Sequence, residues 1–255
     1  MADLLADLPA DIRVSGLALV HPGGHVALAG VDLTVSAGEV VALVGSNGAG
    51  KSTLLRCLVG LQRPTAGEIR IGGLAVTTAG RAELLRLRAG VGFVFQRLNL
   101  VPRLSVFATV LHGTISRRGL RGAWPALAGA QERSDAMACL DRVGLAAVAA
   151  RPVGTLSGGQ QQRVAIARML VQRPSLVLAD EPVASLDPSS GAALLALLRE
   201  IADEQGLTVL MALHQLPYAR RYADRIVGLR GGRCELDTAS SACTAGELDR
   251  LYASA

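Results

Sequence analysis

The hydrophobic pattern of this chain switches between two regimes. Residues 40–44 and 176–179 are continuous apolar runs, the length of short strands buried on both faces. Residues 12–20 and 26–35 also predict strands, and they flank a turn at Pro22-Gly23-Gly24. A glycine-rich loop follows the run at 40–44 and leads into a predicted helix over 52–60. Further strands are expected over 68–71, 91–95 and 207–213, and further helices over 81–88, 160–171, 192–203 and 218–222. Residues 226–230 and 233–236, separated by Gly231-Gly232, predict a hairpin, and 247–252 a short terminal helix. From about 96 to 155 helical patterns dominate, broken at Gly113, at 119–122 and at Pro125. This stretch reads as an inserted helical subdomain.

Strands alternating with helices predict an α/β domain on a mostly parallel sheet, with an antiparallel β part on its N-terminal side. The expected organisation is a single domain. Residues 12–95 and 161–240 form its core, 96–160 the helical subdomain, and 241–255 a short tail without a regulatory domain. In such sheets a ligand sits beyond the carboxyl ends of the strands.

Composition removes several classes. The chain of 255 residues is 50% hydrophobic with a net charge of +5, which excludes disorder over most of its length. No apolar run approaches the roughly 20 residues of a spanning helix. Residues 1–9 carry Asp3 and Asp7 and no basic start, so no secretory signal is expected. Cys57, Cys139, Cys234 and Cys243 are scattered without metal-ligand spacing and read as isolated thiols of a reducing compartment. The basic excess is slight and aromatic residues make up only 3%, so nucleic acid is not an expected partner. Of 26 basic residues, 25 are arginine and the only lysine is Lys51.

That lysine lies in the motif Gly45-Ser46-Asn47-Gly48-Ala49-Gly50-Lys51-Ser52, a full match to G-x-x-x-x-G-K-[ST]. Glycines let the backbone curl so that successive N–H groups point at phosphate oxygens. The helix that starts there adds its positive end. Lys51 would reach the β- and γ-phosphates, and the Ser52 hydroxyl would ligate Mg²⁺. This defines the expected fold class more closely, as a phosphate-loop NTPase core.

Asp180-Glu181 follows the apolar run at 176–179, where an acidic pair is costly unless paired or bound to metal. Asp180 is expected in the Mg²⁺ shell, and Glu181 is expected to polarise the attacking water. Leu156-Ser157-Gly158-Gly159-Gln160 precedes a predicted helix, with Ser157 suited to cap it and the glycines exposing N–H groups. This is a capped helix start or a second phosphate-binding device. Gln96 and His214 each end a predicted strand, where an amide can touch Mg²⁺ or water and an imidazole the γ-phosphate. Taken alone, each also has a plain structural reading.

Together these residues resemble the nucleotide-binding subunit of an ATP-binding cassette (ABC) transporter. The order is the same: the phosphate loop, Gln96, the signature at Leu156 to Gln160, the acidic pair, Ser185-Leu186-Asp187, then His214. The resemblance covers about residues 12–236. It implies a single ABC ATPase domain with ATP and Mg²⁺ as cofactors. Thr53 joins the phosphate loop in the ATP-binding set. Ser52, Gln96 and Asp180 are the implied metal set, and Glu181, His214 and Gln96 the catalytic set. Two subunits pair head to tail, as a homodimer or with a homologous ATPase, through contacts that include Ser185, Leu186 and Asp187. The signature of each closes over the ATP of the other. Closure drives transmembrane permease subunits, gripped by the helical segment around 99–111 and served indirectly by a periplasmic substrate-binding protein. The implied location is peripheral, on the cytoplasmic face of the bacterial inner membrane. The family stacks adenine on an aromatic residue near position 21, and here that residue is His21, a smaller platform.

A finer similarity lies in Asn99-Leu100-Val101-Pro102-Arg103-Leu104-Ser105-Val106, in residues 180–188 (DEPVASLDP) and in Leu213-His214-Gln215 with Tyr222-Ala223-Asp224-Arg225-Ile226. These are similar to the ATPase of bacterial phosphonate importers. Two alternatives stay open: a soluble ABC ATPase accessory to a carbon–phosphorus lyase complex, and the ATPase of another ABC importer. ABC proteins of DNA repair or translation usually carry coiled-coil, zinc or paired-cassette insertions, which this sequence does not show.

Overall fold

A computed structural model describes residues 11–118 and 127–252. Residues 1–9 and the breaks at 119–122 and Pro125 lie outside them.

The N-terminal strands β1 (Ile12–Val20) and β2 (Val26–Val35) form an antiparallel hairpin. β3 (Val40–Val44) runs into the glycine-rich loop and then α1 (Lys51–Leu58). β4 (Ala66–Ile71) and β5 (Leu74–Ala75) complete an antiparallel sheet of order β2-β1-β4-β5. β5 has only two residues, too few for a sequence pattern. α2 (Arg81–Gly90) leads directly into β6 (Val91–Val94).

The helical segment follows as α3 (Val106–Leu111), α4 (Ile115–Arg118) and α5 (Ala130–Arg142). α6 (Gly158–Leu170) packs on α3 and α5 at one side and on β6 at the other. One continuous helix therefore links residues 96–160 to the segment after them. α6 starts two residues earlier than the sequence pattern predicts. Ser157 and Gln160 form a capping box that holds the two glycines in the first turn.

The remainder alternates strand and helix: β7 (Leu176–Asp180), α7 (Pro188–Gln205), β8 (Thr208–Ala212), α8 (Leu216–Tyr222), β9 (Arg225–Arg230), β10 (Arg233–Ala239) and α9 (Ala245–Tyr252). α7 is longer than its apolar stripe suggests. Asp187 caps it, Pro188 occupies the first turn, and Gly206 ends it at φ 64°. β10 outlasts the predicted 233–236 because exposed and half-buried positions alternate to its end.

The second sheet has the order β10-β9-β3-β8-β7-β6. It is parallel from β9 to β6, with β10 antiparallel on the edge. Every residue of β3, β7 and β8 is buried. Val40, Ala42 and Val44 face one core, shared with α6, α7 and the helical segment. Val41 and Leu43 face another, shared with α1 and the antiparallel sheet. Two cores on opposite faces explain why these strands read as continuous apolar runs. Burial also pushes the Cys57 and Cys139 thiols up to about 11, so neither is a thiolate at neutral pH.

Candidate active site

The phosphate loop takes its shape from close backbone approaches. A Cβ on Gly45 would stand 2.1 Å from the Leu229 carbonyl oxygen, and one on Gly50 2.6 Å from that of Ala27. Gly50 also adopts φ 103° just before α1, a conformation that favours glycine. Lys51 opens the helix and is only 4% exposed. Its Nζ donates to the carbonyls of Gly45 at 2.8 Å and Ser46 at 3.1 Å. Burial lowers the pKa of this ammonium, opposed by the charges of Glu181 and Asp180. The two carbonyls stand where phosphate oxygens would compete for the same donor.

Asp180 closes β7 and is 1% exposed. Its Oδ1 accepts from the Ser52 hydroxyl at 2.7 Å. Its Oδ2 has no hydrogen-bond partner, and the Arg56 guanidinium at 3.7 Å is too far to supply one. A buried carboxylate oxygen left open beside a serine hydroxyl suits a hard cation such as Mg²⁺. No group of three or more His, Cys, Asp or Glu among the described residues could hold a metal. An ion here would take its other oxygens from phosphate and water, the usual arrangement for Mg²⁺.

Glu181 follows at φ 51°, a left-handed conformation uncommon for a non-glycine residue. Its carboxylate is held from both sides. His214 Nε2 contacts Oε1, and Gln96 Nε2 donates to Oε2 at 2.8 Å. The sheet explains this row. β8, β7 and β6 are neighbours, and His214, Glu181 and Gln96 lie just past their respective carboxyl ends. Behind Glu181, Gln162 of α6 donates to the Pro182 carbonyl.

An open cleft of about 160 Å³ lies over the loop, lined by residues that include Asn47, Lys51, Ser52, Glu181, His21 and His25. The two imidazoles stack with centroids 6.0 Å apart and planes 5° from parallel. His21 was the expected aromatic platform; His25, which the sequence did not single out, stacks on it. The signal was present, because β1 and β2 pair Val20 with Val26 and so bring the next two residues together across the turn. Tyr252 was missed as well. Its hydroxyl accepts the Gly45 N–H at 3.2 Å from a segment expected to be a plain tail.

The signature lies elsewhere. Leu156 is buried, while Ser157 and Gly158 are exposed at the start of α6. The Ser157 hydroxyl accepts the Gln160 N–H at 3.3 Å, and Gln160 Oε1 accepts the Ser157 N–H at 3.1 Å. The Cβ position of Gly159 is 3.9 Å from both Leu186 and Ser190. The signature and Ser185-Leu186-Asp187 therefore share a surface, and among the described residues neither lines the cleft over the phosphate loop. Asp187 accepts from Ser189 and Ser190, which holds its carboxyl well below the usual range.

Asp224 and Arg225, which helped carry the finer resemblance, are structural. Asp224 accepts from the Val40 N–H and from Arg199. Arg225 binds Asp237, Glu39 and the Thr34 carbonyl, tying the two sheets together.

A curled glycine loop over a buried lysine, with acidic strand ends beside it, selects a polyphosphate, so the class is a phosphate-loop nucleoside triphosphatase. Comparison with known proteins narrows that class. The sequence profile of the family described as ABC transporter matches residues 28–184, and the chain belongs to this family of ATP-hydrolysing cassettes. It is 48% identical over 230 residues to the phosphonates import ATP-binding protein PhnC of Nocardia farcinica, covering 90% of this chain and 86% of that one. It is 46% identical over 245 residues to the phosphite import ATP-binding protein PxtA of Stutzerimonas stutzeri, covering 95% and 87%. Among solved structures, the dimeric post-hydrolysis state of the ATP-binding cassette MJ0796 bound to ADP and Pi matches at a TM-score of 0.79. That match has 34% identity over 90% of this chain and 98% of that one.

Proposed function

We propose that this chain is the ATP-hydrolysing subunit of a bacterial importer for phosphonates or related phosphorus oxyanions. It sits on the cytoplasmic face of the inner membrane, bound to separate permease subunits that a periplasmic binding protein serves. The relatives named for phosphonate and phosphite import support the cargo class. No helix among the described residues is long and apolar enough to cross a membrane.

The observation that carries the mechanism is the division of the site. Glu181, fixed between His214 and Gln96, lines the cleft over one phosphate loop, while among the described residues the signature of the same chain does not line it. Two copies arranged head to tail bring each signature onto the other's nucleotide. Residues Gly45 to Thr53 hold the phosphates, and His21 flanks the base. Ser52 and Asp180, with Gln96 at the edge, would hold Mg²⁺, which neutralises phosphate charge when bound. Glu181 orients the water, and His214 contacts the γ-phosphate.

An apolar groove of about 420 Å³ lies close to Gln96 and is lined by Leu61, Phe93, Phe95, His112, Ile115 and Arg168. Arg168 also donates to the Leu98 and Asn99 carbonyls, so the groove wall and the segment after Gln96 are one unit. A permease helix seated there would be linked to the catalytic row through Gln96, which favours a membrane-coupled ATPase. The test is co-expression with a candidate permease, purification in detergent and reconstitution into vesicles. Binding protein loaded with a phosphonate or phosphite should stimulate ATP hydrolysis. No association with the permease, or no stimulation by any phosphorus oxyanion, would overturn the reading.

A further inference from the structure

The Tyr252 hydroxyl, from α9, joins two parts of the site. It accepts the Gly45 N–H at 3.2 Å and donates to the His214 carbonyl at 3.5 Å, a long and weak bond. Burial raises the pKa of this phenol, so at neutral pH it keeps the proton that its donation to the His214 carbonyl requires. Gly45 is buried, and Leu229 blocks any shift of its backbone toward β9. Lys51 holds the carbonyl of the same residue. α9 itself is anchored by Leu251, which is 3% exposed and packs so closely on Gly228 that a Cβ there would come within 2.4 Å of it.

When phosphates draw Lys51 away from the Gly45 carbonyl, the Tyr252 hydroxyl still holds the Gly45 N–H. The backbone of the phosphate loop, Gly45 included, grips phosphates that ATP and ADP share. His214 lies beside Glu181, on the side of the γ-phosphate, which only ATP carries. A hydroxyl in contact with both parts bears on the distance between them.

We propose that Tyr252 is a positioning residue that sets His214 against the phosphate loop, making the C-terminal helix part of the discrimination between ATP and ADP. This rests on the reading of His214 as the γ-phosphate contact. The test uses the full chain and measures equilibrium affinity for ADP and for a non-hydrolysable ATP analogue, both with Mg²⁺. Four proteins are compared: the unaltered chain, Tyr252→Phe, His214→Ala and the double variant. Phenylalanine keeps the ring and its packing, so a purely structural role would weaken both nucleotides alike. Tyr252→Phe should weaken the ATP analogue about three- to tenfold relative to ADP, the effect of one neutral hydrogen bond. That selective loss should vanish in the His214→Ala background. Equal effects on both nucleotides, no effect on either, or a selective loss that persists without His214 would each overturn the proposal. His214→Ala alone reads the underlying assignment separately, because it should itself lose the analogue selectively.

Discussion

His214 Nε2 touches Glu181 Oε1, joining the residues that follow two adjacent parallel strands. The contact fixes one carboxylate oxygen while Gln96 fixes the other. Under the proposed mechanism Glu181 is the general base, and its left-handed backbone and two side-chain restraints hold it in place. His214→Ala should therefore lower kcat about 100-fold, the lower range for a lost acid–base arrangement, while ADP affinity is kept. Steady-state ATPase kinetics with an ADP titration check this. A variant with normal kcat would remove His214 from the reaction.

Lys51 gives a pH prediction with a defined sign. Its folded-state pKa is lowered below the ordinary 10.5. Between those two values the unfolded chain binds more protons, so the nucleotide-free protein should gain stability as pH rises through that window. ATP needs the ammonium, so ATP affinity should fall over the same rise. Denaturant titrations and binding isotherms at stepped pH, compared with Lys51→Met, isolate the contribution. Parallel pH profiles in the two proteins would show that Lys51 does not titrate there.

The stacked imidazoles predict a base site of two histidines. His21→Ala and His25→Ala should each weaken ATP about two- to tenfold, the effect of one lost aromatic stack, and leave tripolyphosphate binding unchanged. Competition binding of the two ligands separates these contributions. Equal losses for both ligands would place the histidines outside the base site.

Magnesium dependence tests the open oxygen of Asp180. Asp180→Asn keeps the shape but halves the oxygen donors available to a hard cation. ATP affinity should then respond less to added Mg²⁺, while affinity measured with EDTA is unchanged. An unaltered Mg²⁺ response would assign the ion to other residues.

The phosphate loop and the acidic pair were legible in the sequence because glycine, lysine and carboxylate requirements are local. β3 and β7 were legible because burial on both faces leaves only apolar residues. The row His214–Glu181–Gln96 was readable only as separate strand ends, because adjacency depends on the order β8-β7-β6, which no single segment encodes. His25 and Tyr252 escaped for a similar reason. His25 gains its place from hairpin register, and Tyr252 from a helix packed against Gly228, more than 20 residues away in sequence. The early end assigned to β10 and the late start assigned to α7 reflect polar strand positions and a capping sequence that carry no apolar stripe.

Under the proposed function, two copies of this chain complete each ATP site. Glu181→Gln removes the base but keeps the shape, so ATP should bind and persist. Size-exclusion chromatography with light scattering on this variant reads that pairing directly. The variant should be a stable dimer with Mg²⁺ and ATP and a monomer without nucleotide. A variant that binds ATP yet stays monomeric would contradict it.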